Sequence, residues 1–117
     1  MANKARYMLT VCMDVDADKE ALFNEVYDTE HVPLISKVPG VLAVRRYRNV
    51  PLTMIIGGEA KTIVMEGEPQ YLAVYELESS DVLTGEGWAK AVDAGRWATQ
   101  VRPYTKNRRH VLRKLLD

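Results

Sequence analysis

The sequence predicts a single α+β domain in which two helices cover one face of a four-stranded antiparallel sheet. Apolar segments that lack a helical stripe alternate with segments whose apolar residues recur at helical spacing. Proline and glycine separate most of these segments. At 117 residues the chain has the length of one domain, which we place over residues 1–117.

The first strand and the first helix follow from the N-terminal third. Residues 6–15 (RYMLTVCMDV) are mostly apolar on both faces, which predicts a strand buried on both sides. Asp16 or Asp18 can cap the helix that follows. The apolar face of this helix consists of Leu22, Phe23 and Val26. Pro33 disfavours helical geometry in the residue before it, so we expect the helix to end near His31.

The second strand is predicted over residues 41–48, after a Pro-Gly turn. Its alternation places Arg45 and Tyr47 on one face and Arg46 on the other. Either arginine could clamp a carboxylate or an enolate through two parallel hydrogen bonds, or form a salt bridge. The sequence leaves open which of the two faces a cleft.

The middle of the chain predicts a hairpin and a central strand. Residues 52–56 and 61–65 flank Gly57-Gly58, a pattern typical of a β-hairpin. Residues 71–77 (YLAVYEL) form the clearest strand and are again apolar on both faces. We therefore expect the hairpin to be an insertion between two strands of the main sheet.

The C-terminal part predicts a helix and a last strand. Apolar or small residues recur at helical spacing: Trp88, Ala91, Val92 and Gly95. Residues 101–112 are more polar and contain Pro103, which places this strand near an edge or a bulge. Without the hairpin, the order of elements is the ferredoxin-like split βαβ pattern. Two helices cover only one face of such a sheet, so a second copy of the sheet is the simplest cover for the other, and we expect a homodimer.

Composition excludes several classes of function. The formal net charge is zero, so no overall field should attract nucleic acid or a membrane surface. The basic residues 106–114 are expected to form a solvated strand or tail. The single Cys12 fits a reducing, cytoplasmic environment and a buried strand position. We expect no metal site, signal peptide or membrane span, because none of their patterns occurs.

Candidate catalytic residues concentrate between positions 24 and 40. Tyr27 and His31 are four residues apart, and Asp28 and His31 are three apart, so both pairs can be neighbours on a helix. His31 is the candidate general acid or base, and a helix end would favour its protonated form. Asp28 could orient His31 or share its proton, whereas Glu30 is expected to be solvated. A capping or surface histidine beside solvated acids is the alternative.

Tyrosines and a second acid complete the candidate site. Tyr27 and Tyr47 could donate to a substrate oxygen, although core packing is also open to them. Tyr75 and Glu76 are adjacent in a strand and face opposite ways, so one of them should enter the cleft. The two tryptophans, Trp88 and Trp97, are expected to belong to the core or an interface.

Four sequence segments carry a resemblance to a known family. They are YDxEHVPL (27–34), VPG (38–40), RY (46–47) and YLAxYE (71–76). Together they resemble the EthD-like branch of the dimeric α/β-barrel superfamily, in which two ferredoxin-like sheets close into one barrel. The hairpin within residues 51–70 is longer than is usual for that branch. The superfamily includes methylmuconolactone methylisomerases, aromatic polyketide cyclases, cofactor-free monooxygenases and haem-handling proteins.

The resemblance and the local cluster together imply a cofactor-independent enzyme acting on a small cyclic or aromatic-derived oxoacid, lactone or phenol. The expected catalytic residues are His31, Asp28, Tyr27 and Arg46. The expected substrate-binding residues are Arg45, Tyr47, Tyr75 and Glu76. Proton transfer through His31 would drive isomerisation, cyclisation or elimination, while an arginine holds the oxyanion. The alternatives are a non-catalytic small-molecule-binding or accessory protein of a catabolic pathway, and a cofactor-free or haem-dependent monooxygenase.

Overall fold

The computed structural model describes residues 5–116. Its strands are β1 (Tyr7–Val15), β2 (Val41–Arg48), β3 (Leu52–Ile56), β4 (Glu59–Ile63), β5 (Tyr71–Leu77) and β6 (Thr105–Lys114). Four of them form an antiparallel sheet in the order β2–β5–β1–β6, and β3 and β4 form a separate hairpin. Within residues 5–116, no helix has the length and apolar character needed to cross a membrane.

The first helical segment continues through the proline. It consists of α1 (Glu20–Val26), a π-helical turn (Tyr27–His31) and α2 (Val32–Ser36). The expectation that the helix ends near His31 is therefore wrong. Pro33 lies in the first turn of α2, where its missing N–H is tolerated, and the wider turn before it is closed by the Val32 N–H bonding to the Tyr27 carbonyl.

The second helical segment also contains a π-helical turn. It consists of a 3₁₀ turn (Ser80–Thr84), α3 (Glu86–Asp93), the π-helical turn (Trp97–Val101) and a second 3₁₀ turn (Arg102–Tyr104). The last strand therefore begins at Thr105 rather than at Val101, and Pro103 lies in the preceding turn. A bulge in β6 accompanies an irregular register with β1.

The hairpin has the turn that its glycines predict. Gly57 and Gly58 both have positive φ, at 62° and 84°, and Ile56 lies opposite Glu59, which leaves a two-residue loop. The returning strand β4 starts at Glu59 instead of Lys61. Because both glycines adopt positive φ, the loop closes in two residues, and strand pairing resumes at Glu59.

The core lies between the sheet and the helices. Phe23, Ile35 and Leu77 are fully buried there. On the opposite face of the sheet, alternate residues of β5, among them Leu72 and Val74, are only half-buried. We expected both faces of β1 and β5 to be buried. Within a single chain, only the face covered by the helices is buried.

Candidate functional site

His31 lies in the first π-helical turn and is only 4% exposed. Its ring stacks on Trp97 at a centroid distance of 4.4 Å and an interplanar angle of 25°. Tyr27 meets the imidazole edge-on at 5.0 Å. Trp97 begins the second π-helical turn, and π-helical turns are frequent at functional sites. The two wide turns thus bring these aromatic rings together between helices and sheet.

The buried imidazole is neutral near pH 7. Burial is the main cause that lowers the pKa of His31, and the positive charges of Arg102 and Arg46 lower it further, to about 4. The expectation that a helix end favours protonated His31 is therefore wrong. Its Nδ1 atom is buried and hydrogen-bonds to none of residues 5–116. The imidazole thus keeps a hydrogen-bonding capacity that the described part of the chain does not use.

Two buried tyrosines form a hydrogen-bonded pair beside His31. The hydroxyl oxygens of Tyr27 and Tyr75 are 2.8 Å apart, and the two residues are 2% and 3% exposed. Burial raises the pKa of Tyr27 to about 12 and raises the pKa of Tyr75 well above its ordinary value. Both hydroxyls are therefore protonated at neutral pH. Since one hydroxyl donates to the other, the pair retains one O–H for an outside acceptor.

A cavity of ≈ 350 Å³ opens between the helices and the sheet, and we call it the His31 cavity. Its aromatic and cationic lining comprises Tyr27, His31, Tyr75, Trp88, Trp97, Arg102, Arg108 and His110. The remaining wall is apolar, contributed by residues such as Leu9 and Val11. A mainly apolar cavity with a few convergent polar groups is the usual form of a small-molecule site.

Asp28 and Arg46 pair with each other outside this cavity. Arg46 donates from Nη1 to Asp28 Oδ1 at 2.7 Å and from Nη2 to Asn24 Oδ1 at 2.8 Å. No hydrogen bond or ion pair joins Asp28 to His31, so the expected Asp28–His31 pair is wrong. In the wider π-helical turn, residues three apart lie on different sides, and Asp28 faces solvent while His31 faces the core.

The guanidinium of Arg46 still reaches the site indirectly. It lies 4.4 Å from the centre of the Tyr27 ring, on the helix side of the sheet. The structure thus places Arg46 toward the helices and Arg45 on the opposite face. Of the expected catalytic residues, His31 and Tyr27 line the cavity, whereas Asp28 and Arg46 do not.

The expected substrate-binding residues are divided between the two faces of the sheet. Tyr75 lines the His31 cavity, and Glu76 faces the other way, where it forms an ion pair with Arg45. Tyr47 is also on that open face and is 51% exposed. Arg45, Tyr47 and Glu76 line a broader depression of ≈ 780 Å³ on the open face. We favour the smaller cavity as the site, because it holds His31, whose Nδ1 atom has no hydrogen-bond partner among residues 5–116.

Glu30 holds the second π-helical turn in position. It accepts hydrogen bonds from the backbone N–H of Arg96 at 2.9 Å and from Arg96 Nε at 2.6 Å, and these bonds lower the pKa of Glu30. Gly95 has φ = +69°, and a Cβ there would lie 2.6 Å from Glu30 Oε1. The expectation that Glu30 is simply solvated is wrong. Because Arg96 precedes Trp97, Glu30 positions the ring that stacks on His31.

Several cavity residues were not predicted as functional. Trp88 and Trp97 were expected in the core or an interface, and nothing local in the sequence indicates that Trp97 stacks on His31. Arg108 and His110 lie in the segment expected to be solvated, although their spacing of two places them on one strand face. That spacing is the signal that could have identified them. Arg102 lies in a 3₁₀ turn and had no such signal.

Metal and thiol chemistry find no support in the described chain. Within residues 5–116, no group of three or more His, Cys, Asp or Glu side chains is placed to hold a metal ion. Cys12 lies in β1, as expected, but it is half-buried rather than buried. Burial raises the pKa of its thiol, which lowers the fraction of reactive thiolate.

No protein-family model and no curated protein sequence matches the chain. The solved structures that share its fold include the following three. The haem degrader MhuD of Mycobacterium tuberculosis, with two haems bound in its active site, has a TM-score of 0.61 at 17% identity, covering 95% of this chain and 97% of that one. A mutant of MhuD with two manganese protoporphyrin IX groups per active site has a TM-score of 0.63 at 17% identity, covering 95% and 96%.

The third structure is an EthD family protein from Bacillus halodurans. Its TM-score is 0.58 at 16% identity, covering 95% of this chain and 99% of that one. Sequence identity this low supports a shared fold and leaves the chemistry to the site itself. The chain therefore has a ferredoxin-like fold, and its expected likeness to EthD-like proteins is confirmed at the level of the fold.

Proposed function

We propose that this domain binds a small aromatic or cyclic oxoacid, lactone or phenol in the His31 cavity and moves a proton on it without a cofactor. The observation that carries the proposal is His31 itself. It is a buried, neutral imidazole with an unused nitrogen, stacked between aromatic rings at the wall of a cavity. A group able to accept a proton thus lies where a flat ligand has apolar surface to bind.

The neighbouring residues supply the other requirements of proton transfer. Trp88 offers an aromatic surface for the ligand ring. The O–H left over from the Tyr27–Tyr75 pair can donate to the oxygen that becomes negative as a proton leaves the substrate. His31 accepts that proton. An anionic ligand would raise the basicity of His31, since its charge offsets the nearby arginines.

Asp28 and Arg46 act indirectly in this proposal, through Tyr27. Asp28 fixes the guanidinium of Arg46, and Arg46 lies over the ring of Tyr27. This contact holds Tyr27 at the distance that its hydrogen bond to Tyr75 requires. Asp28 and Arg46 are therefore positioning residues, and their loss should weaken the donor rather than remove the base.

Exchange of acidic C–H protons tests the reaction without knowledge of the natural substrate. Phenylpyruvate, 2-oxocyclohexanecarboxylate and a set of unsaturated lactones would be incubated with the protein in deuterium oxide and followed by proton NMR. We expect faster exchange than in buffer for at least one of them. His31→Gln should slow that exchange by about 100-fold or more, as removal of a general base typically does.

The matched control for this experiment is Thr29→Gln, in the same π-helical turn. Thr29 is exposed and does not line the cavity, so its substitution should leave exchange unchanged. Equal exchange by wild type and His31→Gln would contradict the proposed reaction.

A non-catalytic binding function is the second candidate, and the low pKa of His31 favours it. A group with a pKa of about 4 is a weak base at neutral pH. Thermal-shift measurements with the same compounds separate the two functions. Stabilisation without any proton exchange would identify a binding protein, whereas stabilisation with His31-dependent exchange would identify an enzyme.

Haem fits this cavity poorly, although two of the similar structures hold porphyrins. The cavity, at ≈ 350 Å³, is near the lower end of the roughly 300–1,000 Å³ range of small-molecule sites. We therefore derive no step through haem. A Soret band that appears with haemin and disappears in His31→Gln would contradict this reading.

We also propose that the open face of the sheet pairs with a second copy of the chain. Leu72, Val74 and Tyr47 form an apolar strip there that the single chain leaves half-exposed or exposed. The hairpin adds exposed apolar residues on one side of β3: Leu52, Met54 and Ile56. Such a patch is larger than scattered surface apolar residues and is typical of an interface.

Light scattering at micromolar concentration tests the dimer. We expect twice the chain mass for wild type and for Lys90→Gln, an exposed control on α3. Val74→Arg should give the mass of one chain, because an arginine in the middle of the strip would be buried without a partner. A monomeric wild type would refute the dimer without affecting the chemistry proposed for His31.

A further inference from the structure

The last strand contains a bulge opposite Met13. Antiparallel pairing of β1 with β6 runs one to one as far as Cys12 opposite Arg109, and the next pair is Asp14 opposite Lys106. Asn107 and Arg108 therefore share the single position facing Met13. Asn107 has φ = +53°, a left-handed conformation that asparagine adopts more readily than most residues.

Side-chain hydrogen bonds hold the bulge in place. Asn107 Nδ2 donates to Asp14 Oδ2 at 3.1 Å and to the Gly67 carbonyl at 3.0 Å. These contacts join the bulge to the neighbouring strand and to the turn before β5. A bulge tied at two points is a fixed feature of the fold, and bulges beside binding sites often redirect a side chain.

The extra residue places Lys106 and Arg108 on opposite faces of the sheet. In a regular strand, Lys106 and Arg108 would share one face, since side chains alternate with a period of two. With the bulge, Lys106 and Arg109 lie on the open face, where Arg109 bonds to Glu68 at 3.0 Å. Arg108 keeps the regular alternation with His110, and both residues line the His31 cavity.

Part of the cationic charge at the cavity wall is not balanced by the described chain. No Asp or Glu lies among the described residues that line it. Arg102 forms an ion pair with Asp93 at 2.9 Å. Arg108, in contrast, forms no hydrogen bond or ion pair with any of residues 5–116. An unpaired guanidinium at the wall of a mainly apolar cavity favours an anionic ligand, and its planar fork fits a carboxylate.

We propose that Arg108, which lies beside the bulge at Asn107 and on the same strand face as His110, is the residue that selects ligands carrying a carboxylate. Arg102 and His110 supply further donors on the same wall. This inference rests on the proposed function and narrows its ligand class to aromatic or cyclic carboxylic acids. Lactones and neutral phenols are then weaker ligands, because they leave the charge of Arg108 unmatched.

Paired probes that differ only in charge test the proposal. Benzoate and 2-naphthoate would be compared with benzamide and 2-naphthamide by isothermal titration calorimetry, with circular dichroism to check folding. Wild type should bind each acid more tightly than its amide by about 10- to 100-fold, the scale of a charge-assisted hydrogen bond. Arg108→Gln should abolish this preference, and Arg108→Lys should restore part of it.

Arg109→Gln is the matched control, since it removes the adjacent charge on the opposite face. It should keep the full preference for acids. Retention of the preference in Arg108→Gln, its loss in Arg109→Gln, or no binding of either acid by wild type would overturn the proposal.

The outcomes also separate this proposal from the proposed reaction. Arg108-dependent binding of acids without any proton exchange would refute the reaction and support the carboxylate receptor. Proton exchange on oxoacids that is equally fast in wild type and Arg108→Gln would support the reaction and refute the receptor.

Discussion

Lowering the pH from 7 to 4 should destabilise the domain through His31. The pKa of this residue falls from 6.5 in the unfolded chain to about 4 in the folded protein, because burial and nearby arginines oppose its positive charge. The unfolded chain therefore takes up the proton first. The contribution to stability is fully present above pH 6.5 and is lost as the pH falls toward and through 4.

The size of this loss of stability follows from the pKa shift of His31. One pKa unit corresponds to about 1.4 kcal/mol, so a fall from 6.5 to about 4 corresponds to about 3 kcal/mol at full protonation. His31 is only 4% exposed, so solvent screens its charge little. A loss of this size is a large part of the roughly 5–15 kcal/mol by which native domains are stable.

The assay is urea unfolding followed by circular dichroism at several pH values between 7 and 4. Carboxylates titrate in the same range, so the informative quantity is the difference between wild type and His31→Gln. We expect wild type to lose about 3 kcal/mol more than the variant across the full titration. Thr29→Gln serves as the control, since Thr29 is exposed in the same π-helical turn and carries no titratable group.

Nuclear magnetic resonance provides the direct check on the same reasoning. The ring protons of His31 should titrate well below the ordinary pH range of histidine. A titration midpoint above 6.5, or equal pH dependence in wild type and His31→Gln, would refute the neutral buried imidazole.

Three further predictions concern stability and can be measured by urea unfolding. Tyr27→Phe should lower the free energy of unfolding by about 1–3 kcal/mol, because it leaves the buried Tyr75 hydroxyl without its partner. The double variant with Phe at positions 27 and 75 should lose less than the sum of the two single variants. Additive losses would contradict the hydrogen-bonded pair. Gly95→Ala should cost about 1–3 kcal/mol through its positive φ and contact with Glu30, and an unchanged stability would contradict that packing. Phe23→Ala should cost about 3–5 kcal/mol, since Phe23 is fully buried, and a cost below 1 kcal/mol would contradict its place in the core.

Local patterns predicted most of the architecture. Residues 41–48 and 71–77 match β2 and β5 because alternation and flanking turns define a strand within a few residues. Gly57 and Gly58 set the hairpin turn for a similar reason, since a two-residue loop needs positive φ. The opposite directions of Tyr75 and Glu76 also follow from the pleat alone.

The site was less predictable because it depends on deviations from regular geometry. The π-helical turn carries the helix past Pro33 and separates Asp28 from His31, which regular helical spacing places together. Trp97 reaches His31 only through packing between segments far apart in sequence. One extra residue in β6 places Lys106 and Arg108 on opposite faces of the sheet. Single-residue irregularities of this kind leave little trace in a hydrophobic pattern.

A crystal structure of the protein with 2-naphthoate tests most directly whether the functional site lies between the helices and the sheet. We expect the naphthalene ring in the His31 cavity beside Trp88, with the carboxylate bonded to Arg108. A ligand bound instead on the open face, against Arg45 and Tyr47, would contradict the assignment of the site.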